Sequence, residues 1–435
     1  MTSYRFFYNP SMSAALPSYD EAAAIVSARA VEAAHHSPAV ERIELALALG
    51  RVLAQPLHAD SDQPPFARST RDGFACRALE ASKHKFLKLA GTSRAGDAPA
   101  GSLPKGHAWE IMTGAPIPPA ADAVMMVEHV ETSGNEVRLL PPRTVKSGEN
   151  IVEQGAQAHE GDELLPAGST IHAAQIALAA TCGYAALDVF RKPRVAILTT
   201  GDELVPVSST PGPGQIRNSN APMLAALVTA AGADPWILPT AADNAEALDA
   251  ALAEAFKADM LLISGGVSAG KFDLVEPALS RMGAQFHFTG VRIQPGKPLV
   301  FGEISRTDAA VNQNQNRTKC CFFGLPGNPV SSAVTFLLFA APILGALSGR
   351  RDSGPRFALA RLAADAGQQG KSDLTRFRPA SCNFSAAAGQ LPQVELVPSQ
   401  GSGDLAALAL SNCFLVVPED AGRLEAGTIV RILLP

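Results

Sequence analysis

Hydrophobic and polar positions follow different periods in different parts of the chain, and each change of period marks a change of organisation. After an irregular lead-in over residues 1–17, Ala22, Ile25, Val26, Ala30, Val31 and Ala34 recur at helical spacing. Ser18 can cap that helix, and Glu21 can reach back to complete a capping box. The pattern predicts a second helix over 41–48, ending at Gly50. From about 57 to 142 the apolar runs shorten (86–90, 123–127, 137–140) and are broken by Gly, Pro and Asp, which predicts a small β-rich domain. A helix is predicted over 173–180.

Between 191 and 348 the short runs Val195-Ala-Ile-Leu198, Trp236-Ile-Leu238 and Met260-Leu-Leu-Ile263 alternate with helical segments at 221–231 and 245–256. Strand and helix in turn predict a doubly wound α/β sheet. Such sheets bind ligands at the carboxyl ends of their strands, where the polar loops 199–203 and 264–273 fall. The most apolar stretch, 333–347, contains Pro342 and is shorter than the ~20 residues that span a bilayer, so it predicts a buried helix. The polar run 308–318 reads as a mobile loop without chemistry of its own. Beyond 354, apolar runs at 394–397, 414–417 and 429–434 predict a small β-barrel or sandwich.

Composition narrows the partners. A chain of 435 residues has room for about three domains. A net charge of −5 provides no global basic field, which argues against nucleic acid as a partner and requires a local site for any anion. The six cysteines, Cys76, Cys182, Cys320, Cys321, Cys382 and Cys413, form no C-x-x-C, and scattered thiols fit a reducing cytosol. Adjacent Cys320 and Cys321 lie in an apolar run and are expected to be packed in a strand. No H-x-H or H-E-x-x-H occurs, so a histidine-held zinc is not expected. No signal peptide is read at the N-terminus.

Three segments could hold an anion. In Gly324-Leu-Pro-Gly-Asn-Pro-Val-Ser-Ser332 a strand gives way to the apolar helix, with Pro329 suited to its first turn. The N–H groups of Val330, Ser331 and Ser332 are expected to face a phosphate, though a plain capped turn fits equally well. Ser264-Gly-Gly-Val-Ser-Ala-Gly270 is a second glycine-rich loop after a strand, by itself a weak signal. Gln294-Pro-Gly-Lys-Pro298 presents Lys297 on a rigid turn. Opposite these stand acids at strand ends, Asp202, Glu203, Asp243 and Asp273. Acids beside anion-binding loops make sense when a hard cation such as Mg2+ bridges carboxylate and phosphate oxygens. The residues alone therefore point to phosphoanhydride cleavage or group transfer on a Mg2+-bound anion, and leave the ligand unnamed.

Taken together and in order, the segments resemble the molybdopterin molybdenumtransferase family (MoeA and the gephyrin E domain). The resemblance rests on Pro64-Pro-Phe-Ala-Arg-Ser-Thr-Arg-Asp-Gly-Phe-Ala75, Ile111-Met-Thr-Gly-Ala-Pro116, Thr200-Gly-Asp-Glu-Leu204, Ser264-Gly-Gly-Val-Ser268, Gln294-Pro-Gly-Lys-Pro298 and Gly324-Leu-Pro-Gly-Asn-Pro329. It implies a multidomain α/β protein in four parts: a discontinuous helical arm (1–56 with 143–190), an inserted small β domain (57–142), a central adenylyltransferase-like α/β domain (191–348) and a C-terminal β-barrel (349–435). It also implies a cytoplasmic homodimer that takes adenylated molybdopterin and molybdate, uses Mg2+ and releases AMP with molybdenum cofactor. Transient contact with other cofactor-biosynthesis proteins or apo-molybdoenzymes goes with that role.

Carried over by position, the resemblance makes Asp72, Thr113, Glu203 and Asp273 catalytic, the first two supplied by the partner chain. Glu203, Asp243 and Asp273 would hold the metal, while Ser264, Gly265, Gly266, Ser268, Lys297, Pro298, Pro326, Gly327, Asn328 and Pro329 would bind substrate. Two positions depart from the family pattern. Arg71 stands where a small apolar residue or methionine is common, and could pair with Asp72 or with ligand phosphate; Gln157 stands where the family often has an acid. The competing readings are a molybdopterin adenylyltransferase, whose loop typically reads Ser-Gly-Gly-Thr-Gly, and a gephyrin-like scaffold, which need not keep the acids.

Overall fold

A computed structural model describes residues 16–34, 39–98, 101–266, 274–305, 319–366, 372–385 and 389–435. Ser268 and Asp273, the 308–318 run and most of the lead-in lie outside the described residues. The chain forms two compact units, residues 1–41, 50–52 and 189–435 in one, 42–49 and 53–188 in the other.

The larger unit is built on a six-stranded sheet in the order Asp234–Ile237, Arg194–Thr199, Met260–Ser264, Lys319–Leu325, Val300–Ser305, Gln285–Phe288. The first four strands are parallel and the last two join antiparallel. Because strand side chains alternate between faces, Val195 and Ile197 enter one core with Met260, Leu262 and Phe323. Ala196 and Leu198 enter another with Leu261, Ile263 and Phe322. Helix Asn220–Ala230 covers the first face through Leu224 and Val228, and helix Ala245–Ala255 the second through Leu248 and Leu252. Helices on both faces make the sheet doubly wound.

The N-terminal helix, Tyr19–Ala34, begins with the expected capping box. Ser18 N–H donates to Glu21 Oε2 at 2.7 Å, and Glu21 N–H donates to Ser18 Oγ at 3.2 Å. Its buried stripe is narrower than the spacing suggested: Ala22, Val26 and Ala30 join the core while Val31 is 57% exposed. Its Tyr19 ring meets Phe339, Phe357 and Phe377 edge-on.

The apolar helix runs over all of Pro329–Leu347, 19 residues, longer than the expected fifteen because it starts at Pro329. By length and composition it could cross a membrane, but most of it is buried, so it is the core helix of this unit. Five residues, Phe336–Ala340, form a π-helical turn just before Pro342. Proline has no N–H and crowds the carbonyl four residues back, and a wider turn relieves both. At the C-terminus five strands close on themselves, Thr375–Asn383, Gln393–Leu396, Phe357–Leu362, Ile429–Leu433 and Cys413–Val417, the last pairing back with the first. This is the expected barrel, with Ala380, Val394, Leu415 and Ile432 in its core.

The smaller unit carries a six-stranded sheet ordered Ala123–Met126, Gly73–Cys76, His107–Ile111, Leu87–Ser93, Glu136–Leu139, Val130–Ser133. Helix Ala173–Thr181 and two short strand pairs complete it. The helix expected over 41–48 is not formed. Val40–Glu44 is a strand and Leu45–Leu47 a 3-10 turn: β-branched Val40 and Ile43 favour extended backbone, and two apolar residues are too few to set a period. All six cysteines are buried, and Cys320 and Cys321 lie in a strand as expected.

Phe323 is fully buried at the centre of the sheet and stacks on Phe301, ring centroids 4.5 Å apart. Phe323→Ala is expected to cost about 3–5 kcal/mol of stability, readable as a lower denaturant midpoint. A loss under about 1 kcal/mol would place the core elsewhere.

Candidate functional site

The Thr200-Gly-Asp-Glu turn leaves strand Arg194–Thr199 at its carboxyl end. Gly201 has φ +139°, and a Cβ there would stand 2.6 Å from Glu203 Oε2, so glycine lets the Glu203 side chain fold back over the turn. Asp202 Oδ1 accepts the N–H of Asp243 at 3.1 Å. Loss of hydration pushes the Asp243 carboxyl above its ordinary range, a backbone hydrogen bond from Asp202 opposes this, and the charges of Asp202 and Glu203 push it further up. The structure thus gathers three acids where the sequence placed them. Among the described residues no three His, Cys, Asp or Glu side chains converge tightly enough to hold an ion unaided.

The Ser264 loop begins beside this turn. Thr200 N–H donates to Ser264 O at 3.1 Å, and Ser264 is buried. Gly265 and Gly266 have φ of +94° and +64° and lie against Thr200. Gly327 packs on Gly265, its Cβ position 3.8 Å from the Gly265 Cα. The Pro326-Gly-Asn-Pro329 turn therefore stands between the Ser264 loop and a cavity of about 490 Å3.

Lys297, Pro298, Pro326 and Asn328 line that cavity, and so do Arg376 and Arg378. The Lys297 turn is held by its own carbonyl, which accepts the N–H groups of Val291 and Leu299 at 3.0 Å each. The two arginines come from the barrel, where strand Thr375–Asn383 pairs Arg376 with Gln294. Arg376 is 6% exposed; its Nη2 donates to Ala421 O at 2.9 Å, and its buried Nε has no hydrogen-bond partner among the described residues. Burial, then the neighbouring Arg376 charge, holds the Arg378 guanidinium below its usual range. Two crowded guanidiniums and a lysine around one cavity are a receptor for an oxyanion.

Sequence reasoning missed both arginines. Arg-Phe-Arg on one strand puts two cations on one face, but only the pairing with Gln294 brings that face to Lys297. One expectation is corrected. The N–H groups at the start of helix Pro329–Leu347 are not all left for a ligand: Val330 N–H donates to Ser402 O at 3.1 Å and Ser332 N–H to Asn328 O at 2.9 Å. Asn328 Nδ2 adds a bond to Ser402 Oγ at 2.8 Å. The barrel loop takes the place the sequence assigned to phosphate.

Within the smaller unit, Thr113 donates to Asp72 Oδ1 twice, from its N–H at 2.6 Å and its Oγ1 at 2.8 Å. Those two bonds hold the exposed Asp72 carboxyl below the ordinary carboxylate range. Gly73 is required next to it, since a Cβ would stand 1.9 Å from Met125 O. Among the described residues no ion pair joins Arg71 to Asp72; Asp72 takes its bonds from Thr113 instead. Gln157 is exposed, with its N–H on Gln63 O at 2.8 Å.

Three family models match the chain: the MoeA N-terminal region (domain I and II) over residues 17–183, the "Probable molybdopterin binding domain" over 196–346, and the MoeA C-terminal region (domain IV) over 362–434. A molybdopterin molybdenumtransferase of Nostoc sp. is 33% identical over 405 residues, covering 90% of this chain and 88% of its own length. One of Bacillus subtilis is 34% identical over 403 residues, covering 91% and 89%. A solved structure of the molybdopterin biosynthesis moeA protein from Pyrococcus horikoshii OT3 is 27% identical with a TM-score of 0.77, covering 97% of this chain and 100% of that one. The fold and its loops are those of a multidomain transferase of molybdenum-cofactor biosynthesis. The chain belongs to the molybdopterin molybdenumtransferase family.

Thr113→Val keeps the N–H but removes the hydroxyl donor. The Asp72 pKa is expected to rise toward the ordinary carboxylate value, read by NMR titration of its carboxyl carbon. Because the folded pKa is depressed, the stability Asp72 contributes is present above the unfolded pKa and is lost as pH falls through the folded one. An unmoved titration would show that the hydroxyl does not support the charge.

Proposed function

We propose that this protein inserts molybdenum into adenylated molybdopterin, taking molybdate and releasing AMP, with Mg2+ as cofactor. The observation that carries this reading is the cavity lined by Lys297, Arg376 and Arg378, one wall of which is the Pro326-Gly-Asn-Pro329 turn. In it the three cations receive the oxyanion: it offers an acceptor to Arg376 Nε, and its negative charge offsets the burial and the Arg376 repulsion that lower Arg378. On the other side of the turn, the Ser264 loop receives the ligand phosphate. Glu203 and Asp243 are the described carboxylates that would hold Mg2+, and by resemblance Asp273 joins them. When bound there, Mg2+ would supply charge neutralisation at phosphate oxygens. The relatives' printed name, molybdopterin molybdenumtransferase, supports the same reaction.

The protein acts as a homodimer in the cytoplasm, Asp72 and Thr113 of one copy serving the site of the other. The Thr113 donors stabilise the Asp72 carboxylate and hold its pKa below the ordinary range, and six scattered, buried thiols fit a reducing compartment. The deciding assay mixes purified protein, adenylated molybdopterin, Mg2+ and molybdate, and follows AMP and active cofactor; no AMP above a protein-free control overturns the reading.

Two variants test its parts. Arg378→Gln is expected to raise KM for molybdate about tenfold, the scale of ~1.4 kcal/mol from one charged contact; an unchanged KM would remove the cavity from the anion's path. Mixing inactive Asp72→Asn and Glu203→Gln chains is expected to restore part of the activity, because some heterodimers carry one intact site. If subunits exchange and the mixture stays inactive, the sites are not composite.

A further inference from the structure

The residue that joins the Ser264 loop to the Pro326-Gly-Asn-Pro329 turn belongs to neither. Asn220 opens helix Asn220–Ala230, and its neighbour Asn218 fixes that start: Asn218 Oδ1 accepts the N–H of Ala221 at 3.1 Å, and Asn218 Nδ2 donates to Thr199 Oγ1 at 2.9 Å. From this anchored position Asn220 Nδ2 donates to Ser264 Oγ at 2.8 Å and to Gly327 O at 2.7 Å. A backbone carbonyl can only accept, so Gly327 decides which way round the carboxamide stands. Ser264 Oγ must then be the acceptor from Asn220, and its single proton is turned away, free to donate elsewhere. Asn220 Oδ1 is buried and has no hydrogen-bond partner among the described residues. A buried acceptor without a donor costs stability, which a purely structural tie would have no reason to keep.

We propose that Asn220 is a positioning residue for the transfer reaction. It acts through Ser264, orienting the hydroxyl so that its proton donates to the phosphate of the bound nucleotide-pterin, with Gly327 fixing the orientation of the amide. This rests on the reading of the Ser264 loop as a phosphate site given above.

The test is a double-mutant cycle of Asn220→Ala and Ser264→Ala, read as both kcat/KM and Kd for adenylated molybdopterin, with thermal unfolding of each variant alongside. Each single change is expected to lower kcat/KM and weaken binding about tenfold, the scale of one hydrogen bond to a charged group. The double variant is expected to lie within about twofold of Ser264→Ala, because effects passing through one group do not add. Asn220→Asp, the same shape without the donors, is expected to lose as much as the alanine variant and decides the matter if that variant does not fold. Additive losses, wild-type kinetics in Asn220→Asp, or reduced stability with unaltered kcat/KM would each overturn the inference. A wild-type protein that binds the ligand without releasing AMP sinks the proposed function, while the cycle on Kd still decides Asn220. One that binds no ligand overturns both.

Discussion

Residues 265–266 lie so close to Thr200 that no side chain fits between them: a Cβ on Gly265 would stand 2.7 Å from Thr200 O, and one on Gly266 2.8 Å from Thr200 Oγ1. Two adjacent parallel strands end in register here, Thr199 opposite Ser264, and both turns must leave the sheet through the same narrow space. Glycine at positive φ is what makes that possible. The close approach sets the height of Ser264, and through Gly265 it sets where Gly327 can pack. The turn that walls the anion cavity is thus positioned from the strand ends outward, and helix Pro329–Leu347 starts where that turn leaves it.

Charge is segregated across the same turn. Asp202, Glu203 and Asp243 gather on the sheet side, where burial first and then the neighbouring charges push Asp243 upward, while on the barrel side burial first and then the Arg376 charge push Arg378 downward. Each cluster concentrates charge of one sign, and under the proposed function a bound anion and its counter-cation would relieve both. Such preorganised charge is the usual source of rate in phosphoryl chemistry, because the groups need not reorganise as charge develops.

Features set by local spacing are legible in the amino-acid pattern itself. The Ser18–Glu21 box, the strands at 195–198 and 260–263, and the glycine-rich turns depend on neighbours in sequence, so their patterns carry them. What the pattern hides depends on contacts distant in the chain. Arg376 looks like any arginine on a barrel strand until Ile293–Gln294 pairs beside it. The Val330 N–H looks free until Ser402, more than seventy residues on, accepts it. The strand Val40–Glu44 escapes the pattern for a different reason: its apolar residues are too few to fix a period.

The same long-range contacts bear on what the C-terminal barrel is for. A barrel that only stabilised the chain would need an apolar face against the central core, which Phe377, Phe414 and Val416 already supply. It contributes polar groups to the cavity as well: Arg376 and Arg378 from one strand, and Ser402 from the loop that caps Asn328 and Val330. Arg376 is held there at a cost, its Nε buried without a partner among the described residues, and native proteins tolerate such groups where a ligand completes them. A scaffold would gain nothing by retaining that cost. An adenylyltransferase limited to the central sheet would have the Ser264 loop and Lys297 without either arginine, so the barrel is the part of this chain that brings two guanidiniums to the cavity beside Lys297.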